Sequence, residues 1–301
     1  MQILSIDIGG TFLKYACMTE DMAILTRGKI PTPQTGREAL VEAIGQIYDT
    51  MPQVAGIAIS MTGIIDSGNG LVVMGGPLAY NTGFSMGERL HRRCPVPIYM
   101  ENDAKCAAMA EATVGALKDV RDGFVLLFGT MIGGGYIRDH RVYRGKHFSA
   151  GEVSYINTRP GEAPNDANVW GRRCGIPHLC AQFAAQKGLE PAQVDGVSFF
   201  AAAASGDRIA LDCLDDYTAQ IAAQIFNLQT VLDPERFAIG GGISAQPLFL
   251  EYIRRNLDQL YTACPYAIPR AQVVACQFRN DANLIGALQC YLTYVGKGET
   301  A

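Results

Sequence analysis

The sequence has one tryptophan, no block of like charge and no long apolar run, and each shortage removes a class of function. A membrane span needs about 18 or more consecutive apolar residues, and none occurs, so no membrane partner is expected. The formal charge of -4 comes from 25 basic and 29 acidic residues, with no run of five or six of one sign. That leaves neither a nucleic-acid footprint nor an acidic tail. The nine cysteines are odd in number and scattered, without the spacing of a disulfide framework, and read as reduced thiols of a cytoplasmic protein. Asp7 falls inside the first expected strand, so no secretory leader is expected.

What is present is an apolar, globular chain with 49% hydrophobic residues, 18% charged residues and 33 glycines. Its 301 residues exceed the size at which single cores usually stop growing. Two α/β lobes are expected, 1–118 and 119–287, meeting at a hinge crossing near 117–121 with no low-complexity linker.

Residues 1–8 read as a buried strand ending in Gly9-Gly10-Thr11, and 15–18 as a strand returning antiparallel to it. Residues 37–51 carry a helical stripe of Ala39, Leu40, Ala43, Ile44 and Ile47, followed by a strand at 54–60. The expected order is β-β-α-β. A glycine-rich loop follows at 63–76, then a helix at 85–93, a short strand at 96–100 and an Ala-rich helix at 102–114 closing at Gly115. From Asp122 the plan restarts with a strand at 123–128, the turn Gly129-Thr130, and Gly133-Gly134-Gly135 leading into 136–138. This is a weak internal repeat. Helices at 197–205 and 207–231 precede a strand at 236–239 and the turn Gly240-Gly241-Gly242. A last helix at 281–294 follows, and the C-terminal stretch from about 288 to 301 is expected to pack back on the first lobe.

Asp7-Ile8-Gly9-Gly10-Thr11 puts a carboxylate at the end of a buried strand, then two residues without side chains, then a hydroxyl, with Lys14 three positions on. Backbone N–H groups at such glycines can approach phosphate oxygens closely, and the carboxylate can hold a Mg²⁺ shell through water. Taken alone, the segment describes an ordinary hairpin turn equally well. A second turn of the same kind runs from Gly129 to Gly135, and at Gly240-Gly241-Gly242 an adenosine could rest on bare backbone. Asp103 stands where a strand passes into a helix, a place that favours an ionised carboxylate ready to take a proton. Either it or Asn102 could also be a helix cap.

The three turns, together with Glu101-Asn102-Asp103-Ala104 and Ala150-Gly151-Glu152, resemble the ROK family (repressors, open reading frames and kinases) of the actin and hexokinase superfamily. The resemblance runs from residue 2 to about 291. It implies a two-domain, actin-like ATPase (ribonuclease H-like) fold with a cleft between the lobes, and ATP-dependent phosphorylation of a sugar hydroxyl with ATP and Mg²⁺ as cofactors. Asp103 would be the general base. The phosphates would lie on Asp7, Gly9, Gly10, Thr11, Lys14, Gly129, Thr130 and Gly133, the adenosine on Gly240, Gly241 and Gly242, and Mg²⁺ on Asp7 through water. The sugar would meet Gly63, Asn81, Asn102, Asp103, Glu152 and Tyr155. Family members commonly dimerise, so a homodimer is expected.

Many members carry a histidine where this chain has Tyr155, and that histidine touches the sugar and ligates zinc. Their C-x-C-G-x-x-G-C-x-E segment is replaced by residues 172–181, where Cys174, His178 and Cys180 do not complete a four-ligand set. No zinc site is expected. The pocket is expected to be open at the sugar's anomeric end, as in the branch similar to β-glucoside kinases, which phosphorylate O6. A kinase for glucose or N-acetylmannosamine and a silent sugar sensor remain the alternatives. The family's repressors carry a helix-turn-helix ahead of the first strand, and no place for one is expected here. No glycine turn fits the fingerprint of a Rossmann dehydrogenase.

Overall fold

The computed structural model describes residues 1–51, 53–278 and 281–296. It opens with β1 (Gln2–Ile8), β2 (Phe12–Thr19) and β3 (Ile24–Pro31), joined as an antiparallel meander. The strand β1 is buried along nearly its whole length, with the polar Ser5 and Asp7 set among isoleucines and a leucine, whereas β3 is an edge strand with mostly exposed residues. The expected β-β-α-β order is therefore β-β-β-α-β, because an exposed polar edge strand leaves little apolar pattern. The helix α1 (Arg37–Asp49) buries Leu40, Val41, Ile44 and Ile47, and leads to β4 (Gly56–Met61). Where a glycine-rich loop was expected, β5 (Ile64–Asp66) and β6 (Leu71–Met74) pair as a hairpin. Then come α2 (Met86–Arg93), β7 (Ile98–Asn102) and α3 (Asp103–Val114).

The second half repeats the beginning. The strands β8 (Gly123–Phe128), β9 (Ile132–Arg138) and β10 (Arg141–Val142) form another meander. The expected turn glycines Gly133, Gly134 and Gly135 lie inside β9. The helices α4 (Trp170–Arg173), α5 (Ile176–Lys187), α6 (Gly196–Ala204) and α7 (Arg208–Leu232) precede β11 (Arg236–Gly241), α8 (Pro247–Ala263), β12 (Val273–Ala275) and α9 (Ala282–Tyr294). The sheets have the orders β3-β2-β1-β4-β7 and β10-β9-β8-β11-β12, so the weak repeat in sequence is a full repeat in topology.

Each sheet has its own apolar core, and a third core joins them through α3 and α9. In that layer α9 packs on β1, β4 and β7 of the first sheet, while α3 packs on β8 and β9 of the second. The two helices touch closely: a Cβ on Gly286 would lie 1.8 Å from the Cys106 carbonyl oxygen, so only glycine fits there. Of the stretch expected to pack back on the first lobe, residues 297–301 lie outside the described residues. No helix among the described residues is long and apolar enough to cross a membrane.

Candidate active site

The chemistry gathers where β1, β4 and β7 end. Their parallel register aligns Asp7 with Ser60 and Ser60 with Glu101, giving a polar row across three otherwise apolar strands. All three side chains are buried. Asp7 Oδ1 accepts from Ser60 Oγ at 3.2 Å and from Asn283 Nδ2, on α9, at 3.0 Å. Its Oδ2 faces the Lys14 ammonium at 3.6 Å. The following turn is closed by Gly9 N–H donating to the Phe12 carbonyl at 3.1 Å. Thr32 Oγ1 donates to the Gly9 carbonyl at 2.7 Å and Gln34 Nε2 to that of Gly10 at 2.9 Å, which leaves Gly10 and Thr11 exposed on a braced loop.

At the end of β7 the two capping candidates separate. Asn102 is the N-cap, its Oδ1 accepting from Lys105 N–H at 3.1 Å, and its Nδ2 donates to the Gly63 carbonyl at 2.8 Å. Among the described residues Asp103 accepts only from its neighbour's N–H, that of Ala104, at 2.8 Å. Burial first, then the negative charge of Asp7, pushes its pKa up to about 7; Glu152 adds to the rise, while the Ala104 N–H and Lys105 oppose it. A carboxyl poised near neutrality suits a general base.

Behind it, Glu101 holds a buried ion pair with Arg144 at 2.7 Å, and also accepts from Ser67 Oγ at 3.0 Å. The Arg144 guanidinium lies 4.2 Å from the centroid of the Tyr294 ring and donates to the Tyr99 hydroxyl. Asn81 is fully buried, yet among the described residues neither end of its amide has a hydrogen-bond partner. Such a group costs about 1 to 3 kcal/mol unless something polar meets it, which fits a ligand-facing role. Gly63 has φ of +109°, and a Cβ there would sit 2.1 Å from the Met74 carbonyl oxygen, so the loop beside Asn102 requires glycine. Glu152 lies 3.5 Å from Lys105 Nζ; burial raises its pKa and Lys105 opposes the rise. Tyr155, one short turn later, is 53% exposed.

In the second half, Gly129 N–H donates to the Met131 carbonyl at 3.0 Å, and Ile176 N–H at the start of α5 donates to the Gly129 carbonyl at 2.9 Å. Thr130 is exposed between them, and the Met131 side chain turns against Gly171 of α4. Gly133 and Gly135 of β9 lie under α3: a Cβ on Gly133 would sit 2.9 Å from that of Ala104, and one on Gly135 2.5 Å from that of Ala108, while Gly134 faces Gly151 on the other side. Gly240 and Gly241 are enclosed by neighbouring strands, whereas a Cβ on Gly242 would meet nothing within 4 Å. Burial pushes the Cys174 thiol up to about 12, which keeps it protonated. Among the described residues no group of three or more His, Cys, Asp or Glu side chains could hold a metal ion.

Sequence reasoning missed Ser60, Glu101 as an ion-pair partner, Lys105, Arg144, Ser154 and Asn283. Ser154 Oγ accepts from Ile132 N–H at 3.1 Å and fastens the second turn to the loop bearing Glu152. The strand-end register could have flagged Ser60. The others carry no local signal.

The sequence profile of the ROK family matches residues 3–293. The chain belongs to the ROK family. A ROK relative named beta-glucoside kinase, from Klebsiella pneumoniae, is 30% identical over 96% of this chain and 95% of its own length. One of the same name from Listeria monocytogenes is 29% identical over 97% of this chain and 98% of its own. The crystal structure of a ROK family protein from Streptococcus pneumoniae in complex with sucrose has a TM-score of 0.89 at 28% identity, covering 99% of this chain and 100% of that one. The ROK fold of this chain is the two-lobe, actin-like ATPase fold.

Proposed function

We propose that this ROK protein transfers a phosphoryl group from ATP to O6 of a β-glucoside, with Asp103 as general base. Sugar phosphorylation follows from the family and from its relatives; the donor, the acceptor and the roles of individual residues are the proposed part. The observation that carries the reading is Asp103 itself. Its carboxyl is half-buried, paired among the described residues with one local N–H, poised at about 7 and set at the N-terminus of α3 within reach of the Asp7 charge.

In the proposed reaction Asp103 accepts the proton of the O6 hydroxyl as that oxygen bonds to the γ-phosphorus and the bond to the β,γ-bridging oxygen breaks, giving the sugar 6-phosphate and ADP. Little covalent help is needed in such a transfer, so alignment and charge neutralisation dominate. N–H groups of Gly10, Thr11 and Thr130, on turns closed by the Gly9 and Gly129 N–H groups, supply the neutralisation with the Lys14 ammonium, and the open backbone at Gly242 suits the adenosine beside Gly240 and Gly241. Gly133, under α3, supports the second turn by packing. Mg²⁺, when bound, would neutralise phosphate charge; Asp7, with one oxygen held by Ser60 and Asn283, fits it through water. Asn81, Asn102, Glu152 and the Gly63 loop would hold sugar hydroxyls.

The β-glucoside preference is supported by Tyr155 in place of the zinc-ligating histidine and by the names of the relatives. In the same reading the enzyme is a cytoplasmic homodimer, with residues 1–118 and the C-terminal helix on the acceptor side and 119–287 on the nucleotide side. ADP release with Mg-ATP and β-glucosides, glucose or N-acetylmannosamine tests it. The expected result is the highest kcat/KM with a β-glucoside and a 6-phosphate by ³¹P NMR. Faster turnover of the free sugars would overturn the acceptor, and sugar binding without turnover would overturn the kinase.

A further inference from the structure

Lysine is almost never fully buried, yet Lys105 is 1% exposed, two residues after Asp103 in the first turn of α3. Its Nζ donates to the Phe148 carbonyl at 3.0 Å and stands 3.5 Å from Glu152 Oε1. Among the described residues Glu152 Oε2 accepts nothing from the protein, and the Glu152 side chain keeps 22% of its exposure. A buried ammonium has thus been placed where it can fasten one carboxylate oxygen and leave the other open.

The surrounding charge explains the need. Asp103 faces Glu152 from the same helix. Beyond it, Asp7 of β1 is paired with Lys14, and Glu101 at the end of β7 is paired with Arg144. Lys146 and His147, in the loop before Glu152, are exposed. Lys105 is therefore the cation that answers Glu152. A sugar hydroxyl donates a stronger hydrogen bond to an ionised carboxylate than to a protonated one, which is a poorer acceptor.

We propose that Lys105 is a positioning residue for the acceptor sugar: its ammonium keeps Glu152 ionised and fixes Oε1, so that Oε2 accepts from a sugar hydroxyl. The inference rests on the kinase reading above. It assigns to this chain a buried Lys–Glu pair that sets acceptor affinity, distinct from the base that takes the proton.

Steady-state kinetics with the full chain, Mg-ATP and the best β-glucoside test it. In Lys105→Met the sugar KM is expected to rise about tenfold at pH 7, with kcat within about threefold of wild type, because an unanswered buried carboxylate takes up a proton. That KM should recover as pH is raised and Glu152 ionises again. Lys105→Arg should keep most of the affinity. Glu152→Gln should raise KM at every pH, and Lys105→Met/Glu152→Gln should be no worse than Glu152→Gln alone. A wild-type KM in Lys105→Met, or a pH-independent loss that adds to that of Glu152→Gln, would overturn the proposal.

A second readout needs no turnover. In Lys105→Met the folded-state pKa of Glu152 is raised further above its unfolded value, so its contribution is full at low pH and is lost as pH rises toward that folded pKa. The melting temperature of Lys105→Met should fall relative to the double variant as pH rises above the unfolded pKa of a glutamate. Parallel curves overturn the proposal. If Lys105→Met fails to fold while the double variant folds, the unanswered Glu152 charge is the cause, as proposed; if both fail, Lys105 acts by packing and the proposal is wrong. A wild-type protein that phosphorylates no sugar counts against the kinase reading, and the melting comparison then decides Lys105 alone.

Discussion

The two halves of the chain share one strand order and differ in what stands at the strand ends. In the first sheet Asp7, Ser60 and Glu101 align across β1, β4 and β7. In the second, Leu127 aligns with Gly240, and a Cβ on Gly240 would meet Leu127 and the Cys276 sulfur. One frame thus carries buried charge, which proton transfer and metal hydration need. The other is stripped to backbone and apolar contact, which suits a nucleotide. A duplicated fold can divide a reaction in this way because strand-end side chains are replaceable without disturbing the sheet behind them.

The sharpest break in the comparison is Asp103→Asn, which keeps the shape and removes the proposed proton acceptor. Loss of kcat by about 10² to 10⁴ is expected, with nucleotide affinity kept in calorimetric titration. If turnover persists, the charged half is not where the proton goes. Next in size is Arg144→Met. It strands the buried Glu101 carboxylate and should cost about 3 to 5 kcal/mol in urea unfolding; a loss of a few tenths would mean that the polar row is held by its other hydrogen bonds. Gly135→Ala forces a methyl group to within 2.5 Å of the Ala108 Cβ. It should cost about 1 to 3 kcal/mol by overpacking, whereas Gly129→Ala, with nothing nearer than 3.8 Å, should leave stability unchanged and raise the KM for ATP.

The smallest effect expected is on pH dependence. If Asp103 is the base it must be ionised, so kcat/KM should climb with pH until it levels above about 7. Glu152→Gln should move that limb to lower pH, because a neighbouring negative charge is gone. The stability sign is opposite: the pKa of Asp103 is raised by folding, so its contribution is full below the unfolded value and lost as pH rises through about 7. Asp103→Asn should therefore melt above the wild type at pH 8.

Legibility from sequence divides along the same line. Glycine turns and buried strands are local patterns, so the turns at Gly9 and Gly129 and the strand ending at Phe128 could be read directly, whereas the turn expected at Gly240 begins at Gly242 because β11 runs on through Gly241. Asp103 was legible because a strand and an Ala-rich helix meet at it. Lys105 was not: a lone lysine in such a helix suggests a solvated face, and only the approach of the Phe148 loop buries it. Asn283 was not either, since its partner lies 276 positions away and no motif links the two. The strand β3 escaped notice because its exposed edge carries little apolar pattern, and the β5–β6 hairpin because its glycines suggested a loop.

The Asn283 bond to Asp7 also has a meaning in time. Synthesis at roughly 5 to 20 residues per second puts about 15 to 55 s between the first of these residues and the second. During that interval β1 and β4 lack the helix α9 that covers them, and the aspartate lacks its amide. The nascent chain thus carries an uncovered apolar sheet through most of its manufacture, a stage at which ribosome-associated chaperones have something to hold, and the Asp7 carboxylate gains its last hydrogen-bond partner only near the end.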